Sequence, residues 1–206
     1  MRDESKLEKH AIRRRQILGA TLKLLRSHGA DITTAQIAAK AHCSKETLYN
    51  WFGDRDGIMM ALVEEQAQSM GGLLQASFGQ VSGSLEERLV QFSTSLLDMM
   101  TGDALITVNR VAMAQACQER ADLGNKVLED WRAQVMQPFI ALFDEGNQSG
   151  ALAVHSAEEA FENLIGLLVG DRQRRLLLGQ QARPDVSAME AIAAKAVQRW
   201  LILYRR

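Results

Sequence analysis

TTAQIAAKAHCSKETLYNWF, residues 33–52, holds two short amphipathic segments with a brief interruption between them. Thr33 is followed three positions later by Gln36, the pattern of a capping box in which hydroxyl and amide side chain each accept from the other residue's backbone N–H. A helix therefore opens at Thr34. Ile37, Ala38 and Ala41 give it a narrow apolar stripe, and the alanines let another helix cross close by. Ser44 is a good N-cap for a second helix over residues 45–52, in which Leu48 and Phe52, four apart, share the inward side. Lys45, Thr47, Tyr49, Asn50 and Trp51 are left for the outside and the flanks. Two helices joined by so short a turn fit a helix-turn-helix whose second helix enters the DNA major groove. A plain helical corner has the same spacing, so spacing alone leaves both open.

The residues themselves go further. Ser-Lys-Glu-Thr-Leu-Tyr-Asn-Trp-Phe at 44–52, followed by Gly-Asp-Arg-Asp-Gly-Ile, resembles the recognition helix of the TetR family of bacterial transcriptional regulators. Residues 33–38 resemble the segment that opens the family's motif, with Gly29 where its first helix ends. The resemblance covers roughly residues 13–62. It implies an all-α fold with a three-helix N-terminal helix-turn-helix domain, residues 1–57, and a C-terminal helical ligand-binding and dimerisation bundle, residues 58–206. By position, the family's DNA contacts fall on Thr34, Ser44, Lys45, Thr47, Tyr49, Asn50 and Trp51, with Thr33 beside them and Arg55 at the phosphate-binding position. Three residues depart from the pattern: His42 replaces the turn glycine, Glu46 stands where a small residue is usual, and Trp51 takes a Tyr or His position. Glu46 either repels phosphate and lowers non-specific affinity or accepts a hydrogen bond from a cytosine amino group.

Charge is distributed to suit that reading. The formal net charge is −1, but residues 1–57 carry 11 Lys and Arg against 7 Asp and Glu, whereas the remainder carries 13 against 18. Positive potential thus gathers beside the candidate reading helix, where it attracts phosphates. Lys9, His10, Arg13, Arg14 and Arg15 form its densest cluster, and Arg14 is the candidate phosphate contact within it.

The chain has 206 residues, 47% of them hydrophobic and only two of them proline, enough for a sizeable and almost wholly helical core. Hydrophobic periodicity and the Gly- and Ser-rich breaks predict nine helices, near 8–28, 34–41, 45–52, 55–76, 84–100, 103–121, 123–147, 156–179 and 186–204. No apolar run approaches the 18 or so residues of a membrane span, and the N-terminus lacks the apolar core of a secretory signal. Cys43 and Cys117 have no metal-ligand spacing and fit free thiols in a reducing cytoplasm. His10, His28, His42 and His155 form neither a zinc motif nor a di-iron motif, and phosphate-binding and dinucleotide fingerprints are missing, so no cofactor, metal or catalytic residue is expected.

In the middle of the chain Met99, Met100, Met113, Trp131, Met136, Phe139 and Phe143 are either ordinary core or the wall of an apolar site. The family resemblance implies an effector cavity there, for which Met99, Arg110, Met113, Cys117, Trp131 and Phe139 are the candidate lining and a small, largely apolar molecule the ligand. Pro138 either bends a helix or begins a new one. Phe161, Ile165, Gly166, Leu168 and Gly170 on one C-terminal helix, with Ile192 and Trp200 on the last, offer apolar faces for a homodimer, as the resemblance again implies. The function that follows is a DNA-binding regulator, a ligand-released repressor acting as a homodimer on a near-palindromic operator, and not an enzyme. A helical small-molecule binding protein without DNA-binding activity is the alternative, supported by His42 and Glu46.

Overall fold

The computed structural model describes residues 2–79, 83–118, 121–180 and 183–206. It is all-α, with ten helices among the described residues: α1 Arg2–His28, α2 Thr34–Lys40, α3 Lys45–Phe52, α4 Arg55–Gly79, α5 Leu85–Thr101, α6 Asp103–Ala116, α7 Asp122–Gln148, α8 Ala157–Val169, α9 Arg172–Leu177 and α10 Val186–Tyr204. Ten replaces the expected nine because the helix predicted over 156–179 is broken. Gly170 adopts a left-handed φ of 53°, which a glycine reaches without a Cβ penalty, and the chain leaves α8 there before starting α9. The helix expected to reach residue 121 ends at Ala116, and Pro138 lies inside α7 rather than at a helix start. The breaks expected at 79–84 and 180–184, and the end of the segment expected over 103–121, fall partly outside the described residues.

Two compact units form, and they do not follow one cut of the chain at residues 57 and 58. The first comprises residues up to Ala67 together with Thr107–Asp130; the second comprises Gln68–Ile106 and Trp131–Arg206. The reason is apolar packing. Val108, Val111 and Ala112 of α6 and Leu123 and Val127 of α7 are buried in the same core as Ile17, Leu18, Ile37, Leu48, Ile58 and Leu62. A core closed by α1 to α4 alone would leave those inward faces uncovered, and burying apolar area of this kind is stabilising.

The second unit is built around an aromatic column. Phe92 stacks on Phe139 at 5.4 Å, Phe139 meets Phe143 and Phe161, and Phe143 lies parallel to Trp200 at 5.2 Å. Trp200 Nε1 donates to the Ala160 carbonyl at 2.7 Å, so the indole is fully buried without an orphaned donor. Asn163 of α8 donates to the Tyr204 hydroxyl at 2.6 Å, tying α8 to α10. After α7, Asn147 holds Val154 by both backbone groups, and Ala153 N–H donates to the Tyr204 carbonyl beside a lone antiparallel bridge between Leu152 and Arg205.

This core consumes part of the face expected to pair two copies of the chain. Phe161, Leu168 and Trp200 are buried within the unit, whereas Ile165 and Ile192 are half-buried and Gly166 and Gly170 exposed. Periodicity identifies an apolar face but not what covers it. Leu168→Arg is therefore expected to destabilise the unit itself, since it places an unpaired charge in a closed core, and Trp200→Ala should cost about 3–5 kcal/mol through the cavity it leaves. Both are checked by chemical denaturation followed by circular dichroism. A well-folded Leu168→Arg with wild-type stability would contradict this packing.

Candidate nucleic-acid interface

Local chemistry defines the helix-turn-helix. Thr33 Oγ1 accepts from the Gln36 amide at 3.2 Å, and the Gln36 carboxamide oxygen accepts from the Thr33 amide at 2.7 Å, completing the capping box of α2. Ser44 caps α3 by accepting from the Thr47 amide at 3.0 Å, and the two hydroxyls are 2.9 Å apart. Between the helices the backbone makes a Schellman turn, with Cys43 N–H on the Ala38 carbonyl and His42 N–H on that of Ala39. His42 occupies its left-handed position at φ 51°, a conformation that costs an L-residue roughly 1–2 kcal/mol. Arg13 offsets that cost, donating through one nitrogen to the carbonyls of Ala41 at 2.9 Å and His42 at 2.7 Å.

The end of α3 is equally constrained. Asp54 caps α4 by accepting from the Gly57 amide at 2.8 Å. A Cβ on Gly57 would lie 1.8 Å from the Phe52 carbonyl oxygen, so only glycine fits where α4 leaves α3. Arg55 Nε donates to the Ile32 carbonyl at 2.9 Å, and Nη2 donates to that of Ala30. Its guanidinium thus clamps the loop that precedes α2.

Leu48 is buried and Phe52 half-buried, leaving Lys45, Glu46, Tyr49 and Asn50 exposed on α3. At 100° per residue these four cover an arc of about 140° on the side away from Leu48. The Tyr49 hydroxyl lies 3.4 Å from Thr34 Oγ1, which fixes the ring against α2. Trp51 differs from expectation: it is half-buried against the core, its ring 4.0 Å from that of His10.

The basic cluster is mostly spoken for. Arg14 lies 3.5 Å from Glu64, 3.6 Å from Glu65 and over the Phe52 ring, and Arg15 pairs with Glu65 at 3.3 Å. Arg13, Arg14 and Arg55 thus all make contacts within this unit that charge counting along the sequence does not reveal. Lys126 is similarly engaged. Its ion pair with Asp130, Nζ 2.9 Å from the carboxylate, holds its pKa above the ordinary lysine value, against the opposing effect of burial.

The expected effector lining is divided between the two units. Met99 and Phe139 are buried and Trp131 half-buried in the second unit; Arg110, Met113 and Cys117 are exposed and belong to the first. Helical periodicity does not say that the inner face of α6 turns Val108, Val111 and Ala112 inward, which sends Met113 to solvent. Within the second unit, Met99 lines a cavity of about 390 Å³ with Leu73, Leu74, Thr94, Val186 and Met189. Outside that cavity's lining, two buried polar atoms of the second unit, Ser93 Oγ and Trp131 Nε1, have no hydrogen-bond partner among the described residues.

A short helix capped by Ser44, held at both ends and exposing polar side chains, defines a helix-turn-helix DNA reader. Residues 17–62 match the family model described as bacterial regulatory proteins, tetR family, and residues 87–206 match that of the AefR-like transcriptional repressor, C-terminal domain. The chain belongs to the TetR family of bacterial transcriptional regulators. It is 32% identical over 171 residues to the HTH-type transcriptional regulator YvkB of Bacillus subtilis strain 168, covering 81% of this chain and 85% of that one. A TetR transcriptional regulator from Agrobacterium tumefaciens superposes with a TM-score of 0.76 at 37% identity, over 93% of this chain and 94% of the other. The fold is also shared with the transcriptional regulator FadR of Bacillus subtilis, solved in complex with stearoyl-CoA, with a TM-score of 0.71 at 17% identity over 90% and 96% of the two chains.

Two outcomes follow from the scaffold. His42→Gly should raise the stability of the first unit by roughly 1 kcal/mol, read as a higher melting temperature. Arg55→Ala should lower it by about 1.5–3 kcal/mol, because it removes charge-assisted bonds to two carbonyls. DNA affinity should fall with it while the salt dependence stays as in the wild type; a salt slope lower by about one would mean that Arg55 contacts phosphate instead.

Proposed function

We propose that this DNA-binding transcriptional regulator is a cytoplasmic repressor, acting as a homodimer on a near-palindromic operator and released by a small, largely apolar effector. The observation that carries it is the exposed face of α3, where Lys45, Glu46, Tyr49 and Asn50 project from a helix braced on every other side. Base contacts belong to this face, with Thr33, Thr34, Ser44 and Thr47 at the helix N-termini toward the backbone. Arg13, Arg14 and Arg55 act as positioning residues.

One such helix per chain makes too few contacts for tight specific binding, and a two-fold dimer presents two. The surface that suits pairing is the solvent side of α8 and α10. Gly166 is exposed with open space above it, Ile165 and Ile192 are half-buried, and Ile202 and Leu203 are 82% and 62% exposed. Large aliphatic side chains left in water beside small residues fit a self-complementary interface. The effector reading is supported by family membership, by the unpartnered Ser93 and Trp131 groups inside an apolar unit, and by the acyl ligand of the FadR regulator. In this mechanism the effector biases a two-state equilibrium between forms that present the two α3 helices at different separations.

The double variant Ile192→Glu, Leu203→Glu should sediment as a folded monomer and lose operator binding, with its circular dichroism unchanged. A monomeric wild type, or a dimeric variant, would remove this interface. In an electrophoretic shift with the gene's own upstream DNA, Lys45→Ala should weaken binding by roughly 1–3 kcal/mol. A wild type that shifts no DNA at all would favour a helical small-molecule binding protein in place of a repressor.

A further inference from the structure

We infer that Glu46 is a base-reading residue that selects a cytosine in each operator half-site, an inference that rests on α3 being the DNA-reading helix. Glu46 is exposed in the first turn of α3, where the N-terminal residues of a recognition helix approach base edges. Its neighbours are engaged: the Thr47 hydroxyl with Ser44, the Tyr49 hydroxyl with Thr34. The Glu46 carboxylate has no such partner among the described residues. Ser44 caps α3 through the Thr47 amide, so the cap does not require it either.

An ionised carboxylate is an acceptor only, and what it can approach in the major groove is limited. Guanine offers N7 and O6, both acceptors, and thymine offers O4 and a methyl group. Adenine places its amino group beside N7, whose lone pair repels a carboxylate. Cytosine alone presents an amino donor without an acceptor of its own beside it. Against guanine or thymine the carboxylate is desolvated next to acceptors and phosphates with nothing to accept from, and against adenine the amino donor comes with the repulsion of N7, so Glu46 discriminates chiefly by penalising the wrong base. Lys45, adjacent on the same face, supplies donors that suit the guanine of the same C·G pair. Asn50, four residues on and about 5–6 Å away, has the amide geometry that suits adenine in a neighbouring pair.

A carboxylate in the first turn also favours the positive end of the helix, but that role would leave base preference unmoved. The test is selection from a random duplex library with the full-length wild type, Glu46→Ala and Glu46→Gln, followed by titration of the selected duplex and of its C·G→T·A counterpart. The wild type should fix a cytosine at one position per half-site and lose roughly ten- to a hundredfold in affinity on the exchange. Glu46→Ala should keep the rest of the motif and become indifferent there; Glu46→Gln should move toward adenine, to which a carboxamide can both donate and accept. The inference is overturned if both variants select the wild-type motif, or if they bind every duplex more tightly without changing it, since Glu46 would then act only by repulsion. A wild type that enriches no motif removes the DNA-reading assignment and this inference with it.

Discussion

An eight-residue helix does not persist in water by itself, because nucleation costs more than so few hydrogen bonds return. The recognition helix therefore exists only through what holds it. Leu48 anchors its middle in the core, Ser44 satisfies its first turn, and the bare Cα of Gly57 lets the next helix start against its last carbonyl. Two guanidiniums complete the frame, Arg13 on the turn before α3 and Arg55 on the loop before α2. The proposed DNA-reading face is the one arc that these contacts leave free.

Such a frame changes what the basic residues mean. Clustered arginines near a DNA-reading helix suggest phosphate contacts, yet Arg13 and Arg55 spend their donors on backbone carbonyls and Arg14 and Arg15 lie among Glu64 and Glu65. Exposed ion pairs of this kind stabilise little, about 0–1 kcal/mol each, whereas a charge-assisted bond to a carbonyl that no helix satisfies is worth more. The positive excess of residues 1–57 is not cancelled by these pairings as far as a distant phosphate is concerned, because long-range potential depends on the sum of charges rather than on their short-range partners. Steering and contact are thus separate properties, carried by different side chains.

In the second unit the same competition for one face decides the surface. The aromatic column from Phe92 through Phe139 and Phe143 to Trp200 takes the inward sides of α5, α7 and α10, and Phe161 and Leu168 fill the inward side of α8. What remains outside is small on α8, at Gly166, and aliphatic on α10, at Ile202 and Leu203. Close approach of backbones and burial of aliphatic area are complementary requirements of a helical interface.

The sequence by itself determined the local chemistry. The capping box at Thr33 and Gln36, the Ser44 cap, the inward pair of Leu48 and Phe52 and the all-helical character are consequences of neighbouring residues and short periods, while the TetR reading rested on the resemblance of roughly residues 13–62 to that family's motif. Tertiary structure alone decided partners and sides. Residues of α6 and α7 joined the first core, His42 could stand in for a glycine because Arg13, 28 residues away at the nearest carbonyl, holds the turn, and Met113 faced water while Leu168 did not. A single helix period marks an apolar face, but which surface covers that face depends on residues far away in the chain, and no local pattern carries that information.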